Sequence, residues 1–428
     1  MNDAPANPAA SAAAAGPGEE SATALLAALV AIPSVNPDLV PGATGEAAIA
    51  DFCAEWFAAR GFEVHRLEAR PGRPSVVGVA RGAGGGRSLM LNGHYDTVTL
   101  AGYGGDPLAA ERRGGRLYGR GAFDMKSGVA AMMVAAARAK AAGLAGDLLV
   151  ACVADEEHAS FGTEEVVARF RADAAIVAEP SHLQLTVAHK GFAWFEVVVR
   201  GRAAHGSRPE LGVDAIAKAG RFLVALEALD ARLRARPTHP RLGSGSVHAS
   251  LVRGGEEMSS YPAECRIGLE RRTVPGETGE TVAAELRAIL AAISAEDPTF
   301  RAELVPGLVR PPFEMAEDAP VVEAVRAAAA RRLGREPVLR GEPFWTDCAI
   351  LAAAGIPSVM FGADGGGAHA AEEWADEASV EALADVLCEA ALDFCGLAPE
   401  RTPRPRGAAV AEAGRVGLRR GGRGGSCG

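Results

Sequence analysis

Short apolar runs and alanine-rich stretches alternate along the first 190 residues of the chain. The runs predict buried strands and the alanine-rich stretches predict helices. A strand, a helix and a strand over 88–92, 127–143 and 148–154 form the βαβ pattern of a mostly parallel sheet that helices cover on both faces. The other predicted elements here are helices at 21–32 and 45–60 and strands at 75–80 and 174–178.

The pattern changes between residues 191 and 305. Residues 192–200 alternate between apolar and polar side chains, as a half-exposed antiparallel strand does. The predicted elements follow the order β-α-β-β-α-β, which is that of a two-layer α+β sandwich. They are strands at 192–200, 246–252, 264–270 and 300–305 and helices at 213–236 and 279–294. We therefore predict that 191–305 is a second domain inserted into the first.

The parallel-sheet pattern resumes after residue 305 and predicts an α/β fold for a discontinuous first domain, 21–190 and 306–398. Its later elements are helices at 320–333, 346–354 and 380–394 and strands at 338–340 and 358–361. Residues 1–20 and the Arg/Gly-rich residues 399–428 lack the apolar content to build a core. We predict a disordered leader and a disordered tail there.

Charge and cysteine content narrow the classes of function. The chain of 428 residues has a formal net charge of −10, and because 401–428 holds seven arginines and one glutamate, residues 1–400 carry −16. This excludes nucleic acid and anionic membranes as main partners, because both require a basic surface. No run of about 18 apolar residues predicts a membrane-spanning helix. The seven scattered cysteines, never spaced as CxxC, predict reduced thiols in a cytoplasmic protein.

Residue types that bind metals follow the ends of predicted strands, which is where sites form in open α/β sheets. His94 and Asp96 follow the strand at 88–92, and alternation along an extended chain puts them on the same side. The carboxylate can then orient the imidazole of a metal ligand. Taken alone, the pair also fits an ordinary surface histidine and aspartate.

Further acids lie at the start of a predicted helix and at the end of another predicted strand. Asp124 follows a glycine-rich turn at the start of the helix at 127–143, where an aspartate can also simply cap the helix. Asp155, Glu156 and Glu157 end the strand at 148–154, and three adjacent carboxylates repel one another unless a cation is near. This run therefore favours a functional interpretation.

The remaining candidates are Glu179, which closes a short apolar strand, and His369, in a glycine-rich loop. That loop carries neither GxGxxG nor a Walker lysine, which disfavours nucleotide binding. Two imidazoles and three carboxylates are what two adjacent zinc-like ions need, and the set is His94, Asp124, Glu157, Glu179 and His369. Glu156, beside a ligand but not assigned as one, is the natural general base.

Five motifs resemble the zinc-dependent deacylase and exopeptidase family that includes acetylornithine deacetylase, succinyl-diaminopimelate desuccinylase, aminoacylase and glutamate carboxypeptidase. They are GHYDTV, GRGAFDMKSG, DEEHASFGT, AEP and the late GAH. The resemblance covers roughly 21–396. It implies a zinc-exopeptidase-like sheet domain with an inserted lid and dimerisation domain, two zinc ions and a homodimer. Nitrogen and oxygen ligands of this kind also accept cobalt or manganese in place of zinc.

The resemblance also implies a role for each ligand. His94 and Glu179 would hold one zinc ion, Glu157 and His369 would hold the other, and Asp124 would bridge the two.

In the inserted domain, His205 matches the lid histidine that stabilises the oxyanion and is often contributed by the partner subunit. Arg272 aligns with the arginine that binds the substrate carboxylate. Ser259 stands where many relatives have an asparagine, which puts substrate hydrogen bonding there in doubt. The other histidines are assigned no role.

These features predict a dinuclear zinc amidohydrolase that cleaves N-acyl amino acids or related small peptide-like substrates. Glu156 would deprotonate the attacking water and pass the proton to the departing amine, with Asp96 supporting His94 and His205 stabilising the oxyanion. Two alternatives are an exopeptidase, which differs only in substrate, and a catalytically idle binding protein on the same fold.

Overall fold

The computed structural model describes residues 21–399. The predicted leader at 1–20 and the predicted tail beyond residue 399 lie outside the described residues. No helix within 21–399 combines the length and the apolar content that crossing a membrane requires.

Strands and helices are numbered separately along the chain. The strands are β1 (Glu63–Leu67), β2 (Ser75–Ala80), β3 (Leu89–His94), β4 (Glu111–Arg113), β5 (Arg116–Tyr118), β6 (Leu148–Val153), β7 (Ala174–Val177), β8 (Leu185–His189), β9 (Gly191–Arg200), β10 (Ser246–Gly254), β11 (Glu264–Thr273), β12 (Arg301–Arg310), β13 (Phe313–Glu314), β14 (Leu339–Glu342), β15 (Ser358–Met360), β16 (Gly365–Gly366) and β17 (Trp374–Asp376). The helices are α1 (Ala22–Val30), α2 (Ala47–Ala59), α3 (Ser127–Ala142), α4 (Phe161–Arg169), α5 (Ala215–Arg234), α6 (Gly279–Glu296), α7 (Pro320–Leu333), α8 (Cys348–Ala353) and α9 (Glu377–Cys395).

The largest sheet has nine strands in the order β1-β2-β6-β3-β7-β15-β8-β13, with β14 beside β8. Its central strands β6, β3, β7 and β15 pair in parallel, and antiparallel partners flank them on both sides. Every residue of β2, β3, β6 and β7 is buried, because these apolar runs have helices on both faces. The predicted α/β fold with a mostly parallel central sheet is confirmed.

Helices cover the two faces of this sheet unequally. The larger core packs α1, α2, α3, α7 and α9 against one face, and the smaller core packs α4 and α8 against the other. Helix α3 lies in the middle of the larger core and is buried along most of its length, which accounts for its alanine- and methionine-rich composition.

A second, four-stranded sheet has the order β10-β11-β9-β12, and all of its pairs are antiparallel. Helices α5 and α6 pack on one face of it around a separate hydrophobic core that includes Phe222, Ile267 and Leu286. The chain passes from β8 to β9 through Lys190 and returns from β12 to β13 through two prolines. The boundaries of an inserted domain at 191 and 305 stay a prediction.

Several elements escaped sequence prediction because they are short or mixed in polarity. The omitted elements are β1, β4, β5, β8, β13, β16, β17 and α4. Helix α4 has only nine residues, two of them glutamates, and strand β8 has only five residues.

One close contact between α3 and β7 sets the spacing at the edge of the large sheet. A Cβ atom on Gly128 would lie 2.1 Å from the carbonyl oxygen of Ala178, the residue before Glu179. Only glycine lets the start of this helix come so close to the main chain. The contact therefore fixes how near residue 124, just before the helix, comes to Glu179.

We expect Gly128→Ala to lower the free energy of unfolding by about 1–3 kcal/mol, because the added methyl overlaps main-chain atoms. Gly220→Ala in α5 is the matched control, because no atom lies within 4 Å of the added methyl. The control should be neutral or more stable by up to about 1 kcal/mol. Urea denaturation of both variants measures the difference, and equal stabilities would contradict the proposed tight packing.

Candidate metal centre

The predicted ligands meet at the carboxyl edge of the central parallel strands. His94 ends β3, Glu157 lies shortly beyond β6, and Glu179 lies shortly beyond β7. Asp124 lies in an irregular turn, Ala122–Lys126, that leads into α3, and His369 lies in the loop between β16 and β17. Parallel strands that end at one edge bring residues distant in sequence together.

Asp124 lies between the two histidines. Its Oδ1 is 3.3 Å from His94 Nε2, and its Oδ2 is 3.3 Å from His369 Nε2. On one side, Glu179 Oε1 is 3.3 Å from His94 Nε2, and on the other, Glu157 Oε2 is 3.1 Å from His369 Nε2. The five residues that the sequence proposed as ligands thus lie close together, with the Asp124 carboxylate between two histidine–glutamate pairs.

The contacts of the two ring nitrogens of His94 favour a cation beside Nε2. Its Nδ1 is 3.0 Å from the main-chain oxygen of Asp96, so Nδ1 carries the proton and donates there. Its Nε2 is buried without a hydrogen bond, although oxygens of Asp124 and Glu179 lie close by. A lone pair facing carboxylate oxygens is favourable only with a proton or metal ion between them.

The histidine pKa values reflect the surrounding negative charge. Burial acts to lower the pKa of His94, but Glu179, Asp124 and Asp96 outweigh burial and raise it well above the usual value. Hydrogen bonds to Asp124 and Glu157 raise the pKa of His369 to about 10. The surrounding carboxylates therefore favour positive charge at both imidazoles.

Burial shifts the pKa values of the carboxyl groups at the site. Desolvation raises the pKa of Glu157 to about 7, with Asp124 adding to the effect. Desolvation and Glu179 raise the pKa of Glu156 well above its usual value, and the pKa of Glu179 is also raised by burial. Burial opposes ionisation of Asp124, but His369 and His94 outweigh it and lower the pKa. Divalent ions would offset the repulsion among these carboxylates.

Asp96 is fully buried behind His94. Its Oδ1 lies 3.5 Å from His94 Nδ1. It also accepts hydrogen bonds from the main-chain N–H groups of Glu156 and Glu157, at 3.1 and 3.3 Å. Asp96 therefore fixes both the imidazole and the turn that carries the acids.

A buried polar network behind Asp96 has no counterpart in the sequence prediction. Asn36 Nδ2 donates to Asp96 at 2.8 Å and to Asp155 at 3.1 Å. Arg73 pairs with Glu46 and Asp155, which offsets part of the negative charge. Asp155 has a φ of +70°, an uncommon backbone conformation that these contacts hold. Nothing in the local sequence around Asn36 or Arg73 indicates this role.

Glu373 holds the turn that carries Asp124. Its carboxylate accepts hydrogen bonds from the main-chain N–H groups of Gly121, Phe123 and Asp124, at 3.0–3.1 Å, and pairs with Arg120 at 2.9 Å. The sequence prediction missed this residue, which lies close to β17.

Four of the proposed ligands, Asp124, Glu157, Glu179 and His369, line a cleft of about 510 Å³ between the carboxyl edge of the large sheet and the second sheet, and His94 is buried behind them. Glu156 and Arg272 line this cleft, whereas His205 does not. His205 lies on an exposed loop, where its Nδ1 is 2.8 Å from Ser207 Oγ and its main chain pairs with Ser260. Two histidines that the sequence left without a role, at positions 158 and 182, also line the cleft.

One other group of described residues has metal-ligand spacing: Asp38, Asp155 and His158. Arg70 and Arg73 already pair with its carboxylates, at 2.9–3.1 Å. We therefore assign no metal to this group.

Known proteins resemble this chain in sequence and in fold. The sequence model of peptidase family M20/M25/M40 matches residues 90–393. The acetylornithine deacetylase of Myxococcus xanthus is 31% identical over 360 residues, which cover 81% of this chain and 92% of that protein. The N-formyl-4-amino-5-aminomethyl-2-methylpyrimidine deformylase of Bacillus subtilis is 27% identical, covering 84% of this chain and 92% of its own.

Solved structures share the fold. An aminopeptidase of Bacillus cereus superimposes with a TM-score of 0.71 at 20% identity, covering 87% of this chain and 97% of its own. An M20 family metallo-carboxypeptidase of Sulfolobus solfataricus gives 0.70 at 19% identity, covering 86% and 98%.

We expect the purified chain to bind about two zinc ions after dialysis against zinc, as measured by elemental mass spectrometry. Asp124→Ala should bind fewer than one, because it removes the carboxylate that both ligand groups share. Asp318→Ala removes an exposed carboxylate and is the matched control, expected to bind as the unmodified chain does. Unchanged zinc content in Asp124→Ala would contradict the assignment.

Proposed function

Because the chain belongs to peptidase family M20/M25/M40, and is a metal-dependent hydrolase of amide bonds, we propose that it is a dinuclear zinc deacylase of N-acyl amino acids or related small amides. The observation that carries this proposal is the shared carboxylate of Asp124 between two histidines, with Glu156 beside it. The similarity to an acetylornithine deacetylase favours a deacylase over an exopeptidase. The complete ligand set argues against an idle binding protein.

The donor set fits two divalent ions. We assign His94 and Glu179 to one ion, Glu157 and His369 to the other, and Asp124 to both, with Asp96 orienting His94. When bound, such ions lower the pKa of a water molecule and polarise the amide carbonyl. Nitrogen and oxygen donors also accept cobalt or manganese.

Glu156 is proposed as the general base. Its Oε2 lies 3.8 Å from His94 Nε2 in the cleft, and its carboxylate lies within metal-ligand spacing of His94 and Glu179. Burial and Glu179 raise its pKa, which suits a group that takes a proton from water and then releases it. Glu156 would take the proton of the attacking water and deliver it to the departing amine.

Arg272 is proposed to bind the substrate carboxylate. Its guanidinium lines the cleft, and Glu270 holds its Nε at 2.7 Å. A guanidinium can bind a carboxylate through two parallel hydrogen bonds, which fixes the orientation of an amino-acid substrate.

His205 is proposed to donate to the oxyanion in a homodimer. Because it lies outside the cleft of its own chain, we propose that each subunit's His205 enters the cleft of the other.

We also propose a cytoplasmic location, supported by the free thiols of the described cysteines.

We expect Glu156→Gln to lower kcat on an N-acetyl amino acid by about 10²–10⁴-fold, because it removes the general base but leaves the ligands in place. Steady-state kinetics on the zinc-loaded enzyme, together with its zinc content, measure both effects.

Glu256→Gln, on an exposed loop, is the matched control and should retain full activity. Full activity of Glu156→Gln would contradict the proposed role of Glu156 as general base. Turnover of unmodified dipeptides but not of N-acetyl amino acids by the unaltered enzyme would instead favour the exopeptidase.

A further inference from the structure

One wall of the cleft is built from aromatic rings. Phe192 and Trp194 lie on β9, and Trp345 follows β14. The ring centroid of Phe192 is 5.1 Å from that of Trp194 and 6.1 Å from that of Trp345. We call these three residues the aromatic wall. Only 5% of the chain is aromatic, so three adjoining rings in one cleft are a marked concentration.

Trp194 is the most exposed ring of the wall, while Phe192 is buried and the guanidinium of Arg310 lies 5.6 Å from the ring centroid of Trp345. Trp194 is 38% exposed, whereas its neighbours Ala193 and Phe195 are buried in the core of the second sheet. The indole N–H of Trp194 donates to Glu270 at 2.9 Å, and that of Trp345 donates to the carbonyl of Pro311 at 3.1 Å. The wall therefore offers apolar surface and no free indole donor, which suits an apolar group.

The wall is physically connected to the proposed carboxylate anchor. The guanidinium carbon of Arg272 lies 5.5 Å from the ring centroid of Phe192. Glu270 accepts one hydrogen bond from Arg272 and another from Trp194, through its two different oxygens. In an amino acid, the carboxylate and the side chain branch from the same Cα. A substrate whose carboxylate binds Arg272 therefore places its side chain near the wall.

Resting on the proposed deacylase function, we propose that the preferred substrate is an N-acyl amino acid with an aromatic side chain. The aromatic side chain packs against Phe192, Trp194 and Trp345, and the α-carboxylate binds Arg272. An aromatic ring on the acyl side of the amide is separated from the carboxylate by the scissile bond, so such a substrate lacks this contact.

The test compares kcat/KM of the zinc-loaded enzyme on N-acetyl-L-phenylalanine, N-acetyl-L-alanine and N-benzoylglycine. We expect phenylalanine to exceed alanine by about 30-fold or more, the effect of burying a ring in an apolar pocket. We expect it to exceed N-benzoylglycine as well.

A preference for alanine or for N-benzoylglycine would overturn the inference and leave the deacylase function standing. Hydrolysis of none of the three by metal-replete enzyme would overturn both. The two failures are therefore distinguishable in one assay.

Two substitutions at Trp194 separate ring contact from the hydrogen bond to Glu270. Trp194→Leu removes both, and we expect the phenylalanine-to-alanine ratio of kcat/KM to fall by about 10-fold. Trp194→Phe keeps a ring but cannot donate, and its ratio should stay within about 3-fold of the unaltered enzyme. Val224→Ala, 68% exposed on α5, is the control and should leave the ratio unchanged. An equal fall in both Trp194 variants would overturn the ring contact.

Discussion

The structure is organised around a concentration of negative charge that protein groups alone do not balance. Asp96, Asp124, Glu156, Glu157 and Glu179 converge at one edge of the sheet, and the ion pairs of the described residues give them only two histidines as cationic partners. Buried carboxylates at such spacing retain protons or bind cations. Burial, together with the neighbouring carboxylates, raises the pKa of Glu156, Glu157 and Glu179.

The rest of the fold holds this charge in place. The close approach of Gly128 to the end of β7, the contacts of Asn36 with Asp96 and Asp155, and the four hydrogen bonds of Glu373 each fix one part of the site. Because these contacts come from elements far apart in sequence, the ligand geometry depends on the whole large sheet. The second sheet adds the groups that would select the substrate, among them Arg272.

The sequence predicted those features of the fold and site that depend on local patterns of residues. Apolar runs identified the central strands, and acids placed directly after those runs gave candidate ligands that the fold brings together, because strand ends share one edge of a parallel sheet. Asn36 and Glu373 could not be found in this way, since their role depends on contacts across the fold and their neighbours carry no periodic signal. Likewise, the sequence assigned Arg272 and His205 only by resemblance, and within one chain only Arg272 lines the cleft.

The most direct test of the central claim is anomalous X-ray diffraction at the zinc absorption edge from crystals of the zinc-loaded protein. The account predicts two peaks about 3.5–4 Å apart, one on each side of the Asp124 carboxylate. One peak should lie beside His94 and Glu179 and the other beside Glu157 and His369. A single peak, or zinc bound away from Asp124, would contradict the shared-carboxylate site.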